Sequence, residues 1–225
     1  MSDMIDVVIP AAGVGKRMQS RCPKQYLPFA SSTILEETLK RIFRFSALGR
    51  VILALSPEDQ YFQDTGLYGD PRIVTVPGGK ERGDSVLSGL RAATSEYVMV
   101  HDAARPCIMM ADLERLRDLA MNDNGGILAV RIPDTVKRGD SENRITDTVP
   151  RAGLWRALTP QLFKRDLLIT AYEKAAASGM TLTDEASAME FLGYHPLLVP
   201  GSSLNIKITE PQDLALGTLF YREMD

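Results

Sequence analysis

"DVVIPAAGVGKRM", residues 6–18, runs from a short apolar segment into a loop of small residues and then into two adjacent cations. The apolar part is strand-length, and Ala11, Ala12, Gly13 and Gly15 follow it at once. It reads as a buried strand whose carboxyl end opens onto a loop that a ligand can approach closely. Similar runs return at "RVILALS" (50–56), "RIVTVP" (72–77), "YVMVHD" (97–102) and "GGILAVRI" (125–132). Amphipathic stretches at 33–46, 82–95 and 110–123 separate them. In the first, Ile34, Leu35, Leu39, Ile42 and Phe43 recur at helical spacing and leave Glu36, Lys40 and Arg41 on the other face. Strands apolar on both sides, alternating with helices, predict an α/β fold: an open, mostly parallel sheet with helices on both faces. Ligands in such folds bind beyond the carboxyl ends of the strands.

The rhythm breaks at 133–150. "DTVKRGDSENRITDTV" (134–149) is two polar, alternating segments around a turn-forming centre, which predicts a protruding β hairpin. It reads either as a surface loop or as an arm that packs on a second subunit, and its Thr and Val content favours the arm. Helices are expected at about 164–178 and from "TDEASAMEF" onward. Strands are expected at "HPLLVPG" and "NIKI" (205–208). A last helix opens at "TEPQDLAL", with Thr209 as N-cap and Pro211 in the first turn. No repeat or interdomain linker is visible, so 1–225 reads as one domain with an arm at about 133–152.

The 225 residues carry a net charge of -3. A broad nucleic-acid surface needs an excess of cations, so no nucleic-acid partner is expected. Yet no acid occurs between Asp6 and Glu36, where Lys16, Arg17, Arg21 and Lys24 gather. That is a local basic site for a small anion. Cys22 and Cys107 have neither disulfide-framework nor metal spacing and read as reduced thiols. The N-terminus lacks the basic start and long apolar run of a signal peptide, and no run spans a bilayer. A cytoplasmic protein with no membrane partner is expected.

Two phosphate motifs come close at the opening loop and fail. A P-loop needs Ser or Thr after Gly15-Lys16, where Arg17 stands, and a dinucleotide fingerprint needs glycine where Met18 stands. Open backbone N–H groups followed by Arg and Lys still suit a polyphosphate. Asp102, at the end of "YVMVHD", suits a Mg²⁺ carried in with a nucleotide, and equally suits a turn or cap. His101 is expected to be structural. Gly78 and Gly79 allow close backbone approach, and Asp84 or Ser85 is expected to cap the next helix. Lys207, between Ile206 and Ile208, either alternates outward or enters the cleft.

Six blocks, "PAAGVGKRM…PKQYL", "GGKERGDSV", "HDAARP", "LWRALTPQ", "TDEASAME" and "NIKIT", span about residues 5–216 in order. Together they resemble the signature blocks of the 2-C-methyl-D-erythritol 4-phosphate cytidylyltransferase family. The resemblance implies a Rossmann-like domain that joins CTP to methylerythritol 4-phosphate and releases pyrophosphate, a step of non-mevalonate isoprenoid synthesis. It also implies a divalent cation, usually Mg²⁺, and a homodimer formed through the β-arm. Carried over by position, Arg17, Lys24 and Lys207 act on the reacting phosphates. Ala11, Ala12, Gly13, Gly15, Gly79, Lys80 and Ser85 hold the nucleotide. Arg105, Thr135, Arg151, Thr159 and Thr183 bind the sugar phosphate, and Asp102 helps to hold the metal. Lys80 departs from the resemblance, since relatives often place an acid there. Two other readings stay open: a cytidylyltransferase for ribitol 5-phosphate, against which "PAAG" and "HDAARP" argue, and a non-catalytic nucleotide sensor.

Overall fold

The computed structural model describes residues 4–13, 18 and 22–224. Strand β1 (Ile5–Pro10) precedes a small hairpin, β2 (Pro28–Phe29) and β3 (Ser32–Thr33). Then come α1 (Ile34–Ile42), β4 (Leu48–Leu55), β5 (Ile73–Pro77), α2 (Arg82–Ala92), β6 (Tyr97–Val100), α3 (Met110–Ala120) and β7 (Gly126–Arg131). The expected arm is β8 (Val136–Gly139) paired antiparallel with β9 (Ile145–Val149), a two-stranded sheet of its own. Strand β10 (Trp155–Lys164), α4 (Arg165–Ala177), α5 (Glu185–Phe191), β11 (Leu197–Pro200) and α6 (Pro211–Arg222) complete the chain.

The central sheet has the order β11-β7-β10-β6-β1-β4-β5. All neighbours are parallel except β10, which runs antiparallel to both β6 and β7. A parallel return needs a long crossover, usually a helix. Between β7 and β10 the chain offers only the hairpin arm, so β10 comes back antiparallel. Alternation along β1 separates the two cores. Ile5, Val7 and Ile9 pack with Leu35 and Leu39 of α1 and Leu113 and Leu116 of α3. Val8 packs on the other face with Val86 and Leu90 of α2, Ala171 of α4 and Met189 of α5. From β1 the chain moves to β4 and β5 on one side and then returns to β6 on the other. The crevice of this topological switch opens beyond β1 and β6, where the "PAAG" and "HDAARP" turns lie.

Four local expectations are corrected. Residues 205–208 form no strand: Ile208 N–H donates to the Ala104 carbonyl (2.9 Å) and the segment crosses strand ends instead of joining a ladder. The cap of α6 is Glu210, not Thr209, and Asp213 accepts from both backbone N–H groups at 2.9 Å. The cap of α2 is Glu81, whose N–H donates to Asp84 (3.1 Å); Asp84 is the third helical residue and Ser85 bonds elsewhere. Glu36 and Arg41 are buried, not on a solvent face. Glu36 caps Thr33 and accepts from Gly66 N–H (3.0 Å), and Arg41 lies 4.6 Å from the centre of the Tyr221 ring of α6.

Candidate active site

The loop after β1 is held on both sides of Ala11. Its N–H donates to Ala54 (2.8 Å), and its carbonyl accepts from the buried Gln25 side chain (2.7 Å). The opposite wall comes from the turn after β5. A Cβ on Gly78 would lie 2.4 Å from Cβ of Ala12, and one on Gly79 would lie 2.2 Å from Cβ of Asp84. The two turns meet this closely only because Gly78 lacks a side chain, and Gly79 likewise lets its own turn close onto the start of α2. Gly79 N–H donates to Ser85 Oγ (3.1 Å) and so fixes the first turn of α2 to the loop. Ala11, Ala12, Gly13, Gly79, Lys80 and Ser85 thus line one cleft, together with Lys24, Arg82, Asp102 and Lys207.

Asp102 is the buried hub of the cations. Lys207 Nζ lies 3.0 Å and Arg105 Nε 3.1 Å from its Oδ2, and Arg82 Nε lies 3.5 Å from its Oδ1. Burial opposes the charge on Asp102, but Lys207, Arg82 and Arg105 outweigh it and hold the carboxyl far below the usual range. Burial also opposes charge on Arg82, and there the carboxylates of Glu185 and Asp102 win. Lys24 Nζ donates to the carbonyl of Ile208 (2.9 Å), which brings it beside Lys207. A second cavity adjoins the first through Arg82, Asp102 and Lys207, and is completed by Arg105, Thr159, Gln161, Thr183 and Asp184.

Behind both cavities lies a closed hydrogen-bond circuit. His101 Nε2 is 3.1 Å from the carbonyl of Arg105, so it must donate, and Nδ1 then accepts from Thr159 Oγ1 (3.0 Å). Thr159 Oγ1 accepts in turn from Asp102 N–H (3.0 Å). Asn205 donates its side-chain N–H to the Thr159 carbonyl (2.8 Å) and offers its backbone carbonyl to Arg105 Nη1 (2.7 Å). His101 is structural, as expected. Burial, opposed by Asp102, pushes its pKa down to about 4. The unfolded chain therefore binds this proton first, and stability conferred by neutral His101 is lost as pH falls from about 6.5 toward 4. A loss of about 3 kcal/mol is expected across that window. Urea midpoints at pH 7, 5.5 and 4.5 should report it, and a His101→Gln variant should show a flatter slope; an unchanged slope would assign the proton elsewhere.

Most expected site residues come together at these two walls. Thr135 and Arg151 do not: both are exposed at the base of the arm, where Arg151 donates to the Pro133 carbonyl. Arg17 and Gly15, with Lys16 and Arg21, lie outside the described residues. Sequence reasoning missed Arg82, Gln25, Glu185 and Asn205. Arg82 and Glu185 stand inside quoted blocks, but nothing local to either block shows that they pair. Among the described residues, no three His, Cys, Asp or Glu side chains are grouped to hold a metal ion.

A family model described as 2-C-methyl-D-erythritol 4-phosphate cytidylyltransferase matches residues 5–223. A relative of that name from Salmonella paratyphi B is 50% identical over 222 residues, 96% of this chain and 94% of the relative. The crystal structure of the enzyme of that name from Thermus thermophilus superposes with a TM-score of 0.84 at 32% identity, covering 97% of this chain and 99% of that one. The one from Francisella tularensis does so with a TM-score of 0.84 at 33% identity, covering 96% and 99%. Over nearly its whole length, in sequence and in fold, this chain belongs to the 2-C-methyl-D-erythritol 4-phosphate cytidylyltransferase family.

Proposed function

We propose that this chain transfers a cytidylyl group from CTP to 2-C-methyl-D-erythritol 4-phosphate, with release of pyrophosphate, in non-mevalonate isoprenoid synthesis. The observation that carries the reading is the pair of adjoining cavities whose shared wall is Arg82, Asp102 and Lys207. Two phosphate-bearing reactants can lie side by side there, with cations between them. In this reading the nucleotide occupies the cleft of Ala11, Ala12, Gly13, Gly79, Lys80 and Ser85. The sugar phosphate occupies the cavity of Arg105, Thr159 and Thr183.

The acceptor is a phosphate monoester with a second pKa of about 6 and is already ionised near neutral pH. It needs no general base, and neutral His101 supplies none. Its oxygen attacks the α-phosphorus in line, a new P–O bond forms, and the bond to pyrophosphate breaks. What the protein must supply is positioning and relief of charge repulsion. Lys24, Lys207 and Arg105 do this among the described residues, and Arg17 is expected to join them.

The residues also fit Mg²⁺. That ion takes one or two carboxylates plus substrate phosphate oxygens rather than an all-protein cage. Asp102 would hold it through Oδ1, whose Arg82 contact is the longest of the three. When bound, the ion would neutralise phosphate charge. The arm is read as the dimer contact that carries Thr135 and Arg151 to a neighbouring subunit's sugar-phosphate cavity. Its support is exposure: Ile145 of β9 is 68% exposed on a sheet that, among the described residues, pairs with no other strand. The rest of the chain, about 1–132 and 153–225, is read as one catalytic unit. A cytoplasmic location belongs to the same reading; among the described residues no helix is long and apolar enough to cross a membrane.

One assay tests these points. Pyrophosphate release is measured from CTP with methylerythritol 4-phosphate and, separately, with ribitol 5-phosphate. Release with the first alone is expected. Preference for ribitol 5-phosphate would move the chain to the alternative substrate, and tight CTP binding without turnover would revive the sensor. In the same assay Thr135→Ala or Arg151→Ala should raise KM for the sugar phosphate more than for CTP, by roughly tenfold for a lost phosphate contact. An equal rise for both would argue against the arm's role.

A further inference from the structure

Arg82 and Glu185 are 103 residues apart and meet as a fork. Arg82 Nη1 lies 2.6 Å from Glu185 Oε1, and Nη2 lies 3.3 Å from Oε2. Glu185 is completely buried and also accepts the Tyr172 hydroxyl (2.9 Å). Arg82 is different: 31% of its side chain stays exposed, and that part looks into both cavities. The fork uses the two terminal nitrogens. Nε remains, 3.5 Å from Asp102 Oδ1 and in no hydrogen bond among the described residues.

Two physical arguments say that this arrangement is not there for stability. A buried ion pair seldom outperforms a packed apolar pair of the same volume, because desolvation cancels most of the attraction. Arg82 is also the first residue of α2, where the helix dipole is positive and a cation is disfavoured. The chain thus forgoes the apolar packing open to this site, and accepts a cation at a helix N-terminus, to hold one guanidinium at the junction of the cavities. The helix-terminus term turns favourable when a phosphate arrives. The helix terminus and the guanidinium then act on the same anion, and Nε–H gains an acceptor.

Resting on the proposed cytidylyl transfer, we infer that Arg82 is a catalytic residue that contacts the reacting phosphate where the two cavities meet, and that Glu185 is the positioning residue that aims it. Lys24, Lys207 and Arg105 approach this junction from the opening loop, the 205–208 segment and the "HDAARP" turn. Arg82 supplies charge from the remaining side, the α2 wall.

The experiment measures kcat, both KM values and the thermal midpoint for the wild-type protein, Arg82→Ala, Arg82→Lys, Glu185→Gln and the Arg82→Ala/Glu185→Gln double variant. Arg82→Ala should lose roughly 10²–10³-fold in kcat, the usual cost of one transition-state donor. Each KM should stay within about threefold, and added guanidinium ion should restore part of the rate, which repair of a merely structural defect would not do. Arg82→Lys keeps the charge without the fork and should still lose at least about tenfold. Glu185→Gln should lower kcat in the wild-type background and have little further effect once Arg82 is gone. A kcat within threefold of wild type in Arg82→Ala, or no recovery with guanidinium, overturns the role of Arg82. If Arg82→Ala does not fold, Arg82→Lys decides by the same kcat criterion. Independent, additive losses from the two sites overturn the role of Glu185. A wild-type protein that releases no pyrophosphate would instead sink the proposed transfer itself.

Discussion

Replacing Lys24 by alanine should lower kcat by roughly 10²–10³-fold and leave the fold in place. Lys24 sits in a short 3₁₀ turn, half-buried, with its ammonium on the Ile208 carbonyl at 2.9 Å. A hydrogen bond from a charged donor stabilises by about 1.5–3 kcal/mol before solvent exposure is allowed for, which a chain packed on both faces of its sheet can lose. The same residue lines the cleft proposed for the nucleotide, as does Lys207, the neighbour of its Ile208 acceptor. As pyrophosphate departs, negative charge grows on the bridging oxygen, and a fixed cation there acts on the transition state more than on the bound substrate. The loss should therefore fall on kcat with a modest change in KM for CTP. Steady-state kinetics alongside a thermal melt separate the two effects. A variant that turns over at a near-normal rate would remove Lys24 from the chemistry.

That prediction could be written from sequence because Lys24 lies in the same short block as the loop it serves. Much of the fold was legible for the same local reason. Apolar runs marked β1, β4, β5, β6 and β7, and the polar alternation of 134–149 marked the arm. The failures share a cause as well. "NIKI" alternates like a strand, but a ladder needs a free edge, and the chain at Asn205–Ile208 passes over strand ends where Ala104 is its backbone partner. Glu36 and Arg41 look like a solvent face of α1 until α6 and the Gly66 turn cover them from far along the chain. The site divides in the same way. Gly79, Ser85 and Asp102 announce themselves in turns after strands. The Arg82–Glu185 fork joins the first residues of two helices, and the His101–Thr159–Asn205 circuit joins three separate segments, so neither exists before the chain has folded.

Asp102→Asn should be the variant with the largest effect on stability, and the deficit should narrow when nucleotide binds. Asp102 neutralises Lys207 and Arg105 at about hydrogen-bond distance inside a buried site, with Arg82 close by. Asparagine keeps the shape and removes the charge. Breaking one partner out of a buried ionic cluster costs about 3–5 kcal/mol, and the lower end applies here, because Arg105 stays desolvated while Lys207 and Arg82 keep part of their water. For a chain of this length that is a fall in Tm on the order of 10 °C. The carboxylate also repels phosphate, so the same substitution leaves the cations free for a triphosphate. CTP without divalent ions should therefore raise the Tm of the variant more than that of the wild-type protein. Turnover should nevertheless fall, and the dependence of rate on Mg²⁺ concentration should move to higher concentrations, if Asp102 also holds the metal. The two roles separate cleanly. An unchanged Tm would show that the cations do not need Asp102. A normal Mg²⁺ dependence, with the Tm behaving as described, would leave Asp102 as an electrostatic hub and move the metal onto the substrate phosphates alone.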